Sequence, residues 1–352
     1  VFGAISGGGA AIGLLLGGVL TEYLSWRWCL AVNTPIAVLA ALLAVRFVRE
    51  SKAHGNTSYD IPGAITVTGG LLALVYGFTQ AAPAGYEDSA HWTDPSTLVW
   101  FALSAVLLTA FFVIESRSSH PLLPLRVIRN SNRAGAYISS LMVGAGMFAM
   151  FLFLGIFMQT ILGYSPVQAG FAFLPFSVGI ILGAGVASNL LPRVGPRPLM
   201  IPGLLAGAAG MLWLAQLEPD SAYVTHLLPA MLVMSLGMAF VFIPTATVAL
   251  HAVDHHDAGV ASAMINTSQQ VGGSLGTALM NTVAVSATSA YLVANAAAGE
   301  AAMPAALTEG FTRGFYVGAG LLITAAVVVF FMIRIGADAA ADEDEAAPVH
   351  MG

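Results

Sequence analysis

Four polar side chains, Ser262, Asn266, Gln270 and Ser274, recur at every fourth residue of an otherwise apolar stretch, and Thr277 and Asn281 continue the series. Residues four apart share one side of a helix, so the stripe offers amides and hydroxyls without charge. Two chemistries suit it: hydrogen bonding between helices, or lining a water-filled cavity. Interhelical bonds of this kind average only about 0.6 kcal/mol in membranes. Structure alone does not require six of them, and cavity lining is the favoured reading. A second set, Met142, Met147, Phe148, Met150, Phe151, Phe157, Met158 and Gln159, falls within residues 134–161. Flexible thioethers and aromatic faces suit a site for varied apolar or cationic compounds; lipid-facing or packed positions are the alternative. Phe148, Phe151, Gln159, Asn266 and Gln270 are the candidate substrate-binding residues.

Other reactive clusters are sparse. His251, Asp254, His255, His256 and Asp257 lie together, with His251 and His255 at helical spacing. Without a third ligand on a fixed element, a solvated loop is expected there rather than a metal site. The single cysteine, Cys29, removes an intrachain disulfide and any cysteine-based zinc site. No nucleophile–base arrangement, phosphate-binding loop or paired membrane carboxylates are visible, so the chain reads as no enzyme, with no cofactor. It shows no basic patch with interleaved aromatics, so nucleic acid is not an expected partner.

The elements that must carry these residues are membrane spans. Hydrophobic residues make up 57% and charged residues 9% of the 352, and mean hydropathy is +0.83. Soluble domains carry about 25% charged residues. A hydrocarbon core about 30 Å thick needs roughly 20 apolar residues per helix. Suitable runs lie near 1–21, 29–45, 61–82, 97–114, 134–161, 169–191, 199–217, 227–250, 258–286 and 314–333, none holding an Asp, Glu, Lys or Arg. Asp60 and Asp94, each followed by a proline (Pro62, Pro95), read as N-caps. Ser165-Pro166-Val167-Gln168 fits a capping box.

Alternating the loops gathers Arg46, Arg49, Lys52, Arg117, Arg126, Arg129, Arg133, Arg193, Arg197 and Arg334 on one side, leaving Arg27 and Arg313 on the other. Positive charge marks the cytoplasmic side, so the acidic tail (Asp338, Asp342 to Glu345) is expected there. Arginine outnumbering lysine, with abundant alanine and glycine, is a composition typical of a GC-rich bacterial gene. Proton coupling normally uses an ionisable group inside a span, and these spans have none. Glu22, Glu115, Glu309 and Arg313 stand at span ends, where solvation or snorkelling suffices. Glu22 is the best local candidate for coupling.

Gly9, Gly13 and Gly17 recur every four residues, with Gly18 broadening their face, followed by Trp26-Arg27-Trp28 and Asn33-Thr34-Pro35. Small residues so spaced let helices approach backbone to backbone in lipid. The string resembles the antiporter motif at the fifth span of major facilitator drug exporters, with Leu14 where proline is usual. Tyr59-Asp60-Ile61-Pro62-Gly63, the His120-Pro121-Leu122-Leu123-Pro124-Leu125 linker, Gly163-Tyr164-Ser165-Pro166 with Gln168-Ala169-Gly170, and Ala258-Gly259-Val260-Ala261-Ser262 through Asn266, Gln270 and Gly272 follow in the order of the fourteen-span drug:proton antiporter family. Pro192-Arg193-Val194-Gly195-Pro196-Arg197 is similar to that family's loop signature, with Pro192 where aspartate is usual.

The resemblance implies an all-α polytopic membrane protein of the major facilitator fold, holding spans five to fourteen. Residues 1–48 would be the last two spans of the N-terminal bundle, 49–133 an extra pair of spans with cytoplasmic linkers, 134–334 a C-terminal six-span bundle and 335–352 the tail. Four spans are expected upstream, and with them the proton-carrying carboxylate. The implied activity is export of small amphipathic or drug-like compounds in exchange for protons, from a bacterial inner membrane. Its implied partners are a small-molecule substrate, protons and the lipid bilayer. A dedicated exporter of one metabolite and a non-transporting receptor or scaffold are the alternatives.

Overall fold

The computed structural model describes residues 2–47, 60–82, 91–118, 121–253 and 257–336, and every extended element in it is helical. The chain opens with α1 (Phe2–Tyr23), the short α2 (Trp26–Ala31) and α3 (Asn33–Phe47). A hairpin of α4 (Ile61–Ala81) and α5 (Pro95–Arg117) follows, and then the short α6 (Leu125–Arg129). The remaining helices are α7 (Ser131–Ile156), α8 (Pro166–Ala172), α9 (Leu174–Val194), α10 (Pro196–Leu214), α11 (Leu228–Leu250), α12 (Ala258–Ala294) and α13 (Met303–Met332). Among the described residues, nine helical stretches are long and apolar enough to cross a membrane, beginning with Trp26–Phe47. The other expected span, 1–21, is helical in α1. The protein is a multi-pass membrane protein.

The buried core belongs to α7 through α13. There α7 packs on α12 and α13, α10 on α11 and α13, and α9 on α11. Lipid gives apolar helices little reason to associate, so close backbone approach must do so. Gly272 and Gly276 on α12 provide it: a Cβ on the first would overlap the Leu141 carbonyl, and one on the second Ala145, both on α7. The ends of this bundle are tied together. Ser131 donates to the Met332 carbonyl at 2.9 Å, and the Arg334 N–H donates to Asn132 Oδ1 at 2.6 Å.

Outside the bundle, α1 lies against α8 and α9, while α4 and α5 pack on each other and α4 leans on α12. That last contact includes a hydrogen bond from Thr282 Oγ1 to the Phe78 carbonyl at 3.0 Å. No residue of α3 is buried.

Local signals behave as their chemistry requires, with two exceptions. Ser165 and Gln168 form the reciprocal capping box, and Asp60 Oδ1 accepts from the Gly63 N–H at 2.8 Å. Asp94 takes the N-cap position, but its carboxylate caps nothing and instead meets His91 Nδ1 at 3.1 Å. The stretch between the expected spans 258–286 and 314–333 is mostly helical: α12 runs on to Ala294, a 3-10 segment covers Ala296–Ala302, and Pro304 helps open α13. Alanine, the strongest helix former, dominates that stretch. Gly195 (φ 80°, ψ 171°) makes the turn between α9 and α10, a left-handed conformation that side chains resist. Arg197 just beyond it lies over the Phe330 ring at 4.4 Å.

Candidate substrate cavity

The α7–α12 crossing leaves a cavity of about 320 Å³ beside it, lined by Val143, Gly144, Met147, Phe148, Phe151, Phe242 and Gln269. Its walls come from α7, α11 and α12. Phe151 is braced by Phe173 and Phe176, with ring centroids 5.3 and 5.1 Å away. Phe148 lies across the bare backbone of Gly273, where a Cβ would stand 2.8 Å from the ring. Half of Phe148 remains exposed. The result is an aromatic and thioether surface carrying one amide side chain, suited to the apolar body of a ligand with a single polar anchor.

Two of the five expected substrate residues, Phe148 and Phe151, therefore share this cavity. Gln270 is elsewhere. With Val271, Ser274 and Leu275 it faces Leu71, Leu72, Val75, Tyr76 and Thr79 of α4 across a groove of about 620 Å³. Ser262, Asn266, Gln270 and Ser274 are all exposed, so the stripe does not point into the α7–α13 core. Asn266 lines neither space, and neither does Gln159, which donates to the Gly155 carbonyl one turn back at 3.1 Å. Gln269, Phe242 and the α4 wall are the contributions that sequence spacing missed. Gln269 is one residue from the stripe and so about 100° around the helix.

Within the glycine motif one position packs closely. Gly18 makes the close approach: a Cβ there would stand 2.7 Å from the Pro166 carbonyl and 3.1 Å from Val167 Cα. A Cβ on Gly9, Gly13 or Gly17 would meet nothing within 4 Å, while the Gly17 carbonyl accepts from Cys29 Sγ at 3.5 Å. One turn beyond Gly18, the Glu22 carboxylate accepts from the Ser165 hydroxyl at 2.6 Å and from the Val167 N–H at 2.9 Å. These bonds join α1 to the start of α8.

At the opposite end, Asp257 is not a solvated loop residue. Its side chain is 6% exposed and takes a two-pronged grip from Arg126, at 2.6 Å from Nε and 2.8 Å from Nη2. Arg133 donates to the Val127 and Ala252 carbonyls nearby, at 3.0 and 3.3 Å. Asp254, His255 and His256 lie outside the described residues, as do Arg49, Lys52, Tyr59, His120 and the acidic tail from residue 337 onward. Glu115 is corrected too: expected at a solvated helix end, it is 3% exposed. The chain after α5 folds back over it, as the Leu123 N–H shows by donating to its carboxylate at 3.1 Å.

The structure is thus a multi-helix membrane bundle with an apolar cavity at a helix crossing. The Major Facilitator Superfamily model matches residues 1–277, and the chain belongs to that superfamily. It is similar to the puromycin resistance protein of Streptomyces alboniger, with 43% identity over 356 residues, covering 99% of this chain and 68% of that protein. It is also similar to the cephamycin export protein of Amycolatopsis lactamdurans, at 37% identity over 80% of this chain and 57% of that one. The lincomycin resistance protein of Streptomyces lincolnensis is 32% identical over 77% of this chain and 55% of its own. The chain thus spans between about half and two thirds of these relatives' lengths.

Proposed function

We propose that the protein exports small amphipathic compounds across a bacterial inner membrane in exchange for protons, and that the Phe148–Phe151–Gln269 cavity receives the compound. The observation that carries this reading is the composition of that cavity: aromatic and thioether walls that accept varied shapes, with one amide for orientation. Relatives named for resistance to, or export of, antibiotics support it. In this reading the arginine-rich ends of the helices face the cytoplasm. Residues 1–48 then close one bundle, 49–133 carry the inserted hairpin, and 134–334 form the second bundle, with alternating access between the two.

The test is uptake of a fluorescent cationic amphiphile into inverted membrane vesicles from cells expressing the full-length protein. Acidifying the vesicle interior should drive accumulation, and a proton uncoupler should abolish it. Accumulation that ignores the uncoupler would sink the proton exchange. A second reading, a dedicated exporter of one compound, is favoured by relatives that each bear the name of a single antibiotic. It predicts that one compound in a structurally varied panel competes and the others do not.

A further inference from the structure

The carboxyl groups of Asp60 and Glu115 meet where α4 begins and α5 ends. Each has one oxygen already satisfied by backbone: Asp60 Oδ1 by the Gly63 N–H and Glu115 Oε2 by the Leu123 N–H. The other two oxygens, Asp60 Oδ2 and Glu115 Oε1, are buried without a hydrogen-bond partner. They stand 2.9 and 3.0 Å from the point a Cβ on Gly63 would occupy, so their separation is at most the sum of those distances. Gly63, lacking a side chain, is what leaves room for them.

Two bare carboxylates close together out of water are mutually repulsive, and an acceptor left unpaired there keeps its full desolvation penalty. Further relief comes from the backbone, the Leu122 N–H also reaching the Glu115 carboxylate. Among the described residues, Arg117 on α5 is exposed, Arg126 on α6 is engaged with Asp257, and Arg129 is exposed. The returning segment 121–124 carries no charge. A divalent cation fits poorly, since calcium takes six to eight oxygens at about 2.3–2.6 Å and only two are free. One proton on Glu115 fits: it turns the orphaned acceptor Oε1 into a donor on the side where the Asp60 Oδ2 orphan lies.

We propose that Glu115 keeps a proton on its unpartnered oxygen, beside Asp60, a protonatable site in the α4–α5 hairpin that is separate from the substrate cavity. Glu115 also holds the Leu123 N–H, and the chain from there runs directly into α6, where Arg126 grips Asp257 at the start of α12. Loss of the proton therefore acts on a segment that ties the hairpin to the start of α12. The site does not depend on the transport reaction and is tested without it.

The test is infrared difference spectroscopy of the purified protein over a pH series, in H2O and D2O, alongside thermal unfolding. The expected result is one protonated-carboxyl C=O band at neutral pH, shifted in D2O and lost in a single step on alkalinisation. Glu115→Gln and Asp60→Asn should each remove it. Either amide can donate to the surviving carboxylate much as the proton does, and Asn still caps α4. The unfolding temperature of the unaltered protein should fall as pH rises through that step, while Glu115→Gln stays flat. No such band, a band surviving either variant, or identical stability profiles would overturn the proposal. So would a profile that follows added calcium or sodium at fixed pH.

Discussion

Glu22 and Ser165 stand 143 positions apart in the chain, and their side chains form one of the shortest hydrogen bonds in the structure, 2.6 Å from hydroxyl to carboxylate. The same carboxylate oxygen takes the Val167 N–H, so a negative charge from α1 sits on the capped start of α8. Charge-assisted bonds of this kind are shorter and stronger than neutral ones. In the proposed reading they close the outer face, and opening that face must break them.

Glu22→Ala should therefore shift the protein toward outward opening. Spin labels at the exposed Tyr23 and Phe171, in a Cys29→Ser background, give the readout. The interlabel distance should lengthen and broaden in the variant. An unchanged distribution would leave Glu22 as a surface contact only.

Close packing should be far more sensitive on α12 than along most of the glycine motif. Gly276→Leu drives a side chain into Ala145 and is expected to destabilise by about 1–3 kcal/mol, the usual cost of overpacking. Gly18→Leu should loosen α1 from Pro166, whereas Gly13→Leu has open space. Melting temperatures in detergent, ranked with Gly13→Leu nearest the unaltered protein, check the order. A Gly13→Leu loss as large as that of Gly276→Leu would contradict it.

Phe148→Ala and Gln269→Leu should each change which compounds are exported while leaving the protein inserted. Phe148→Ala removes the ring over Gly273, and Gln269→Leu removes the cavity's amide. Gln270→Leu acts on the α4 groove and should alter the spectrum less. Resistance profiles across a compound panel, normalised to membrane-inserted protein, separate the three. A larger change from Gln270→Leu than from Gln269→Leu would move the site to the groove.

Arg126→Ala leaves the buried Asp257 carboxylate without its main partner. Because the arginine is itself 64% exposed, the loss is discounted to about 1–2 kcal/mol. Arg126→Lys keeps the charge but not the fork, and should fall between. Unfolding temperatures at low and high salt measure both, and a null effect of Arg126→Ala would make the pair a passive contact.

Helices were legible in the sequence because lipid forces long apolar runs, and the caps at Asp60 and Ser165 because their side chains have few other uses there. What periodicity could not give was the neighbour. Ser262, Asn266, Gln270 and Ser274 do share a face, but only the fold shows that this face meets α4 and leaves the cavity to Gln269. Glu115 was misread for a related reason. It stands one residue past an apolar run, where water is the default, and its burial comes from the chain that folds back after it. The glycine pattern at 9, 13 and 17 marks a helix suited to close contact, and the tightest approach among these glycines is at neighbouring Gly18, where α8 crosses beside the end of α1.

The length of α12 has its own consequence. Its 37 residues, Ala258–Ala294, make a rod about 55 Å long at 1.5 Å per residue. Even tilted by about 40° it is taller than a hydrocarbon layer of about 30 Å. This one helix therefore reaches water at both of its ends, like a tent pole longer than its canvas is thick. Epitopes placed at its two termini should be open to antibody from opposite sides of the membrane.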